Sequence, residues 1–204
     1  VIFLYDLLED AIEQIQLGGW VMYPLIITSL WMWYLIGKKI IEMYILTKGD
    51  RLAYEIMSDL QKGKKEVLAA PWQKKIIEGY LKERTEVKAL NEEIIDSLRI
   101  NQEGYIKRYT GTISLLSTIA PLLGLLGTVS GMIKTFSAIA EFGTGNARAL
   151  AAGISEALIT TQTGLIIAVP GLFLASFLIR RSDELMDRMR RFCLRLAVIK
   201  VDLK

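Results

Sequence analysis

The sequence predicts an all-α, polytopic membrane protein with three transmembrane helices and long cytoplasmic helical extensions. Three observations carry that expectation. The 204-residue chain is 52% hydrophobic and 23% charged, with a mean hydropathy of +0.34. Those values coexist only if charges and apolar residues occupy different stretches. They do: residues 14–37, 109–133 and 157–179 carry no charge, and each stretch is 23–25 residues long. At about 1.5 Å per helical residue, each crosses a hydrocarbon core of roughly 30 Å. Third, Lys and Arg are segregated. Residues 1–37 have none, residues 38–108 have fifteen, and residues 180–204 have eight. Cytoplasmic segments collect Lys and Arg, which puts 38–108 and 180–204 inside and the N-terminus and the 141–148 loop outside.

Each element follows in order. Residues 1–17 read as an amphipathic helix on the outer surface. Leu4, Leu8, Ala11 or Ile12, and Ile15 recur at helical spacing, opposite Asp6, Glu9, Asp10 and Glu13. A signal peptide opens with positive charge, and this stretch has none. Gly18 and Gly19 turn the chain into the first span, 18–37, with Trp20, Trp31, Trp33 and Tyr34 near its ends as an aromatic belt.

The cytoplasmic segment, 38–108, reads as helical. One helix covers 51–61 and ends near Gly63, and Pro71-Trp72 suits the start of another. Ile77, Tyr80, Val87, Ile94 and Leu98 keep an approximate heptad. No proline lies between Trp72 and Ala120, so the expectation is a nearly continuous rod from about 72 into the second span, weakest at Gly104 and Gly111. The second span covers 109–140, the outer loop 141–148, the third span 149–179, and the basic helical tail 180–204. The extension is expected to be too small for a globular core of its own.

Composition excludes chemistry. The chain has no histidine and one cysteine, Cys193. That removes a His general base, a Ser-His-Asp triad, an internal disulfide and a zinc site. No enzyme, metal or cofactor is expected. The net charge of +3 comes from basic residues interleaved with acids, which does not suggest nucleic-acid binding. Gly143-Thr-Gly145 lacks the third glycine of a dinucleotide fingerprint, and Gly127 to Lys134 lacks the Gly-Lys of a phosphate loop. Thr128-Val-Ser130-Gly131 lacks the first glycine of an intramembrane serine protease, and the histidine base is absent.

The informative residues lie in the second and third spans. Thr110, Ser114, Ser117, Pro121, Gly124, Thr128, Gly131 and Thr135 form a stripe at alternating spacings of 4 and 3. That period keeps them on one seam, either a packing seam between helices or the wall of a polar lumen. Ala157, Thr160, Gly164, Ala168, Gly171 and Ala175 make a second small face. Glu156 is the sole acid in 149–179. A carboxylate at membrane depth is costly and faces protein or water, so Glu156 reads as functional. A position among the outer headgroups, about 36 Å from Arg180 along a helix, is the alternative. Lys134 reads as a snorkelling lysine. Lys38, Lys39, Lys107, Arg108, Arg180 and Arg181 flank the spans on the basic side and are expected to touch anionic phospholipid headgroups.

Leu123-Gly-Leu-Leu-Gly-Thr-Val-Ser-Gly131, Gly153-Ile-Ser-Glu-Ala-Leu-Ile-Thr-Thr161 and Gly164-Leu-Ile-Ile-Ala-Val-Pro170 resemble the MotA/TolQ/ExbB proton-channel family. Three spans, a long first cytoplasmic segment and a short outer loop match its ExbB/TolQ branch, and the Gly18-Gly-Trp-Val-Met-Tyr-Pro24 entry of the first span makes it most like ExbB, with TolQ next. The resemblance implies a bacterial inner-membrane protein, N-terminus periplasmic and C-terminus cytoplasmic, assembling as a ring, a homopentamer in this family. It implies an ExbD-like single-span dimer inside the ring, whose membrane aspartate takes and releases protons. It further implies a TonB-like protein through which proton-motive force energises outer-membrane uptake. A TolQ-like envelope-maintenance motor and a non-conducting scaffold are the alternatives. By motif position the pore and proton-pathway residues fall on Thr128, Glu156 and Thr161. The helix-packing residues are Gly124, Gly131, Gly164, Gly171, Pro121 and Pro170. Lys134 stands where the family pattern suggests a neutral residue.

Overall fold

The computed structural model describes residues 12–61, 69–85 and 87–198. Its main helices are α1 (Met22–Thr47), α2 (Ala53–Gln61), α3 (Pro71–Glu83), α4 (Lys88–Lys107), α5 (Thr110–Phe142) and α6 (Ala147–Val198). Among the described residues there is no strand. They fall into two compact units. Val1–Ile36 with Gly111–Ser176 make the first, and Gly37–Thr110 with Phe177–Lys204 make the second.

The first unit holds the apolar helices. Two helical stretches, one containing α5 and one α6, are long and apolar enough to cross a membrane, and only 28% of either apolar window is buried within the chain. The core helix of a soluble protein is mostly covered; these present Leu122, Leu125, Ile133, Ile166, Val169 and Phe173 outward at 59–71% exposure. One buried apolar cluster of the unit is Val21, Met22, Leu25, Ala120 and Ala168. Residues 12–17 are helical, with Ile15 against that cluster and Ile12 exposed. The remainder of the expected amphipathic helix, with Leu4, Leu8 and Ala11, lies outside the described residues. Gly19 has φ +66°, a turn only glycine makes without strain, and it leads the chain into α1.

α5 and α6 join through Gly143–Gly145, a single 3₁₀ turn opened by Gly143 at φ +68°. Asn146 then caps α6, its Oδ1 accepting the Ala149 N–H at 3.1 Å. Pro121 and Pro170 sit inside α5 and α6 without ending either helix.

The second unit corrects two expectations. The extension does have a core: Leu46, Ile56, Trp72, Ile76, Tyr80 and Ile106 close on Leu185, Met189, Phe192 and Leu196. The tail of α6 supplies the missing half, because its four residues at spacings of 4, 3 and 4 share one helical face. Trp72 meets Phe192 edge-to-face with centroids 5.3 Å apart. Nor is the rod continuous. α3 stops at Glu83 and α4 starts at Lys88. Asn91 holds the break: its Oδ1 accepts the Thr85 N–H at 2.7 Å and its Nδ2 donates to the Thr85 carbonyl at 2.7 Å. A Cβ on Gly79 would lie 2.7 Å from a Leu98 methyl, so α3 and α4 approach closely across that glycine. Val87, an expected heptad position, is 60% exposed in the break. A second interruption falls at Arg108-Tyr109, where Tyr109 has φ +70°. Gly104 and Gly111, the expected weak points, are both helical.

Candidate polar site in the apolar unit

The glycines of α5 and α6 set the distance between the two helices. A Cβ on Gly124 would lie 3.1 Å from the Thr160 carbonyl oxygen, and one on Gly131 would lie 2.6 Å from the Gly153 oxygen. A Cβ on Gly164 would lie 2.8 Å from the Ala120 oxygen. One on Gly171 would crowd Met32 of α1 and the Ser117 hydroxyl. The small residues therefore let backbone meet backbone, as membrane helices require where no hydrophobic force separates protein from lipid. Gly127 belongs to the same seam, facing Thr160.

This close approach brings polar groups together. Thr161 Oγ1 donates across the seam to the Gly124 carbonyl at 3.2 Å and to its own helix at Ala157, 3.1 Å. Thr160, fully buried, donates to the Glu156 carbonyl at 2.9 Å. Thr128 Oγ1 donates to the Leu125 carbonyl at 2.6 Å and is half-buried. Among the described residues no hydrogen bond links Thr128, Glu156 and Thr161 to one another.

The Glu156 carboxylate has other partners. It is 7% exposed. Lys134 Nζ donates to both of its oxygens at 2.7 Å. Beside it lies Gly19, where a Cβ would overlap the carboxylate. Trp20 Nε1 donates to Ser130 Oγ at 3.2 Å, one turn before Lys134 on α5. Thus α5, α6 and the turn before α1 converge on one ion pair. Lys134 does not simply snorkel. It supplies the countercharge that a nearly buried carboxylate needs, since an isolated one costs far more than a paired one. The sequence held the signal: Lys134 and Glu156 are the charges nearest the outer ends of their apolar stretches. Gly19 carried a weaker one, in the Gly18-Gly19 pair.

The expected headgroup residues divide. Lys38 Nζ lies 4.7 Å from the Tyr109 ring centroid, and the Arg108 guanidinium stacks on the same ring at 4.8 Å. With Lys75, Tyr105, Ile41 and Ile45 they line a cavity of about 440 Å³. Lys107 is exposed. Arg180 and Arg181 both reach Glu184, at 3.7 and 3.2 Å, and Arg181 also covers the Phe177 ring. Lys39 departs from the set: it is fully buried and pairs with Glu42 at 3.2 Å, because its position turns it inward rather than toward the surface. Glu42 in turn raises the Tyr105 phenol above its usual range by hydrogen bonding to it.

Among the described residues no group of three His, Cys, Asp or Glu side chains could hold a metal ion. A family model described as the MotA/TolQ/ExbB proton channel family matches residues 60–191. The chain is 40% identical over 81 residues to the biopolymer transport protein ExbB of Aquifex aeolicus, covering 38% of this chain and 55% of that one. It is 36% identical over 77 residues to the ExbB of Salmonella typhimurium, covering 38% of this chain and 32% of that one. A putative biopolymer transport protein, ExbB-like 3, of Synechocystis is 40% identical over 73 residues, 35% of either chain. Each match spans less than two thirds of the relative's length.

Proposed function

The chain belongs to the MotA/TolQ/ExbB proton channel family, and from that premise we propose that it is an ExbB-like subunit of a proton-motive-force-driven motor in a bacterial inner membrane. With an ExbD-like single-span partner it energises TonB-dependent uptake across the outer membrane. It acts through ion movement and motion rather than as an enzyme. The observation that carries this reading is the polar set on the membrane-length parts of α5 and α6: Thr128, Thr161 and the Glu156 carboxylate paired with Lys134.

Three helices cannot enclose a conduction path alone. The unit leaves large apolar side chains exposed on α1, α5 and α6, which supports lipid and neighbouring copies as their cover. A ring, a pentamer by family resemblance, then surrounds the partner's helices with copies of α5 and α6. On α1, Ile27, Leu30, Trp31 and Tyr34 are 60–68% exposed, in keeping with a third span. The basic cavity at Lys38, Arg108 and Tyr109 stands where two uncharged stretches end, and it supports contact with anionic phospholipids on the cytoplasmic side. In the working ring Thr128 and Thr161 offer hydroxyls that bind water without charge of their own. Glu156 contributes the carboxylate that steers the partner's titratable group.

Affinity purification of the chain from its own membranes tests the reading. The expected result is co-purification of a single-span protein bearing an aspartate in its apolar segment. A complex lacking any such protein would leave a scaffold role instead.

A further inference from the structure

A basic concavity in the second unit plays no part in the motor reading. Arg188, Arg191 and Arg195 recur at spacings of three and four, so they share one face of α6. They line a cavity of about 360 Å³ whose other wall is Asp50, Arg51 and the first turn of α3 at Trp72 and Gln73. Asp50 is its one acidic residue, and Arg188 Nη1 occupies it at 2.7 Å. Arg51 pairs with Glu55 at 3.1 Å and Asp59 at 3.4 Å. Arg191 and Arg195 are exposed and have no ion-pair partner among the described residues. Two uncompensated guanidinium groups therefore face a concavity bordered by the positive end of a helix and by the Trp72–Phe192 aromatic pair.

We propose that this cavity binds a small phosphorylated solute, with the Arg191 and Arg195 forks on its phosphate oxygens. The volume suits a small-molecule ligand. A lipid headgroup is the wrong source. Ile179 is the last residue of the uncharged stretch, and Arg188 and Arg195 follow it by about 14 Å and about 24 Å along α6. The headgroup layer of one leaflet is only roughly 5–8 Å deep. Placing the cavity on the cytoplasmic side rests on the topology proposed above; the binding chemistry does not. The ligand ties the tail of α6 to the Asp50–Ala53 loop and α3, so it stabilises the second unit.

The test uses the full chain in detergent, with inorganic pyrophosphate as probe at constant ionic strength. Calorimetry is expected to show saturable binding, and the thermal midpoint to rise with it. The double variant Arg191→Gln/Arg195→Gln removes two exposed, unpaired side chains and should bind at least tenfold more weakly. Arg190→Gln makes one of the same charge changes on the neighbouring groove with Asp96 and Cys193, and should bind as the unaltered chain does. Absence of saturable binding, or equal weakening in both variants, would overturn the proposal. Displacement of pyrophosphate by phosphatidylglycerol nanodiscs would overturn the soluble source and assign the site to lipid. No pyrophosphate binding, together with a smaller oligomer for the double variant by native mass measurement, would overturn it in favour of contacts between copies.

Discussion

Glu156 and Lys134 form a pair of unequal partners: the carboxylate side chain is 9% exposed and the lysine 54%. Exposed pairs contribute about 0.2–1 kcal/mol, and breaking a buried pair costs about 3–5 kcal/mol. This pair falls between, at a coupling of about 1–2 kcal/mol. A double-mutant cycle of Lys134→Met and Glu156→Gln, read by thermal unfolding in detergent, should return that coupling, with the double variant more stable than the sum of the singles implies. Additive effects would mean that the pair contributes nothing. Cys193 gives a second residue-scale expectation. Burial pushes its thiol up to about 12. The unfolded thiol ionises near pH 8.5, so above that pH the unfolded state holds fewer protons than the folded one, and stability should fall as pH rises. At pH 8 the folded chain should resist iodoacetamide and the urea-unfolded chain should react, as mass measurement would register. At this scale Glu156 stood out in the sequence as the sole acid in 149–179, whereas Thr128 and Thr161 were picked out among several hydroxyls by motif position in the family resemblance. Their partners could not be picked out. Which hydroxyl or ammonium meets which acceptor depends on how closely α5 and α6 approach.

The breaks between helices come from particular side chains. Long apolar helices were legible because an uncharged run long enough to span a membrane has few other choices, even with Pro121 and Pro170 inside, and α6 continues from its apolar stretch into the basic tail as expected. The α3–α4 break was not, since no proline or glycine marks it; a single asparagine, Asn91, satisfies both backbone groups of Thr85 instead. Tyr109 interrupts the next helix at φ +70° between two glycines that remain helical. A non-glycine residue there costs of order 1–3 kcal/mol, offset by its contacts with Lys38 and Arg108. Spin labels at Lys74 and Asn101 test the hairpin. A continuous helix would hold them about 40 Å apart, whereas helices packed at 8–10 Å place them within about 20 Å. A distance near 40 Å would restore the rod.

The two units differ in how they are held. The second has a mixed apolar core with large side chains; the first has a thin one and relies on glycine contacts. That contrast follows from solvent: the hydrophobic effect drives packing in water, but lipid tails offer apolar groups as good a surround as protein. Charge segregation showed the division in the sequence, while the core of the second unit stayed hidden because its halves lie roughly a hundred residues apart along the chain. In the proposed motor, one proton crossing 100 mV would supply about 2.3 kcal/mol, so substantial work would take several protons. The measurement that bears most directly on this account is proton-motive-force-dependent uptake of a receptor-delivered iron complex in cells carrying Thr128→Val, Thr161→Val or Glu156→Gln. Complex abundance is measured in the same cells. The account predicts variants that assemble with the partner at normal abundance yet lose energised uptake; normal uptake in all three would contradict it.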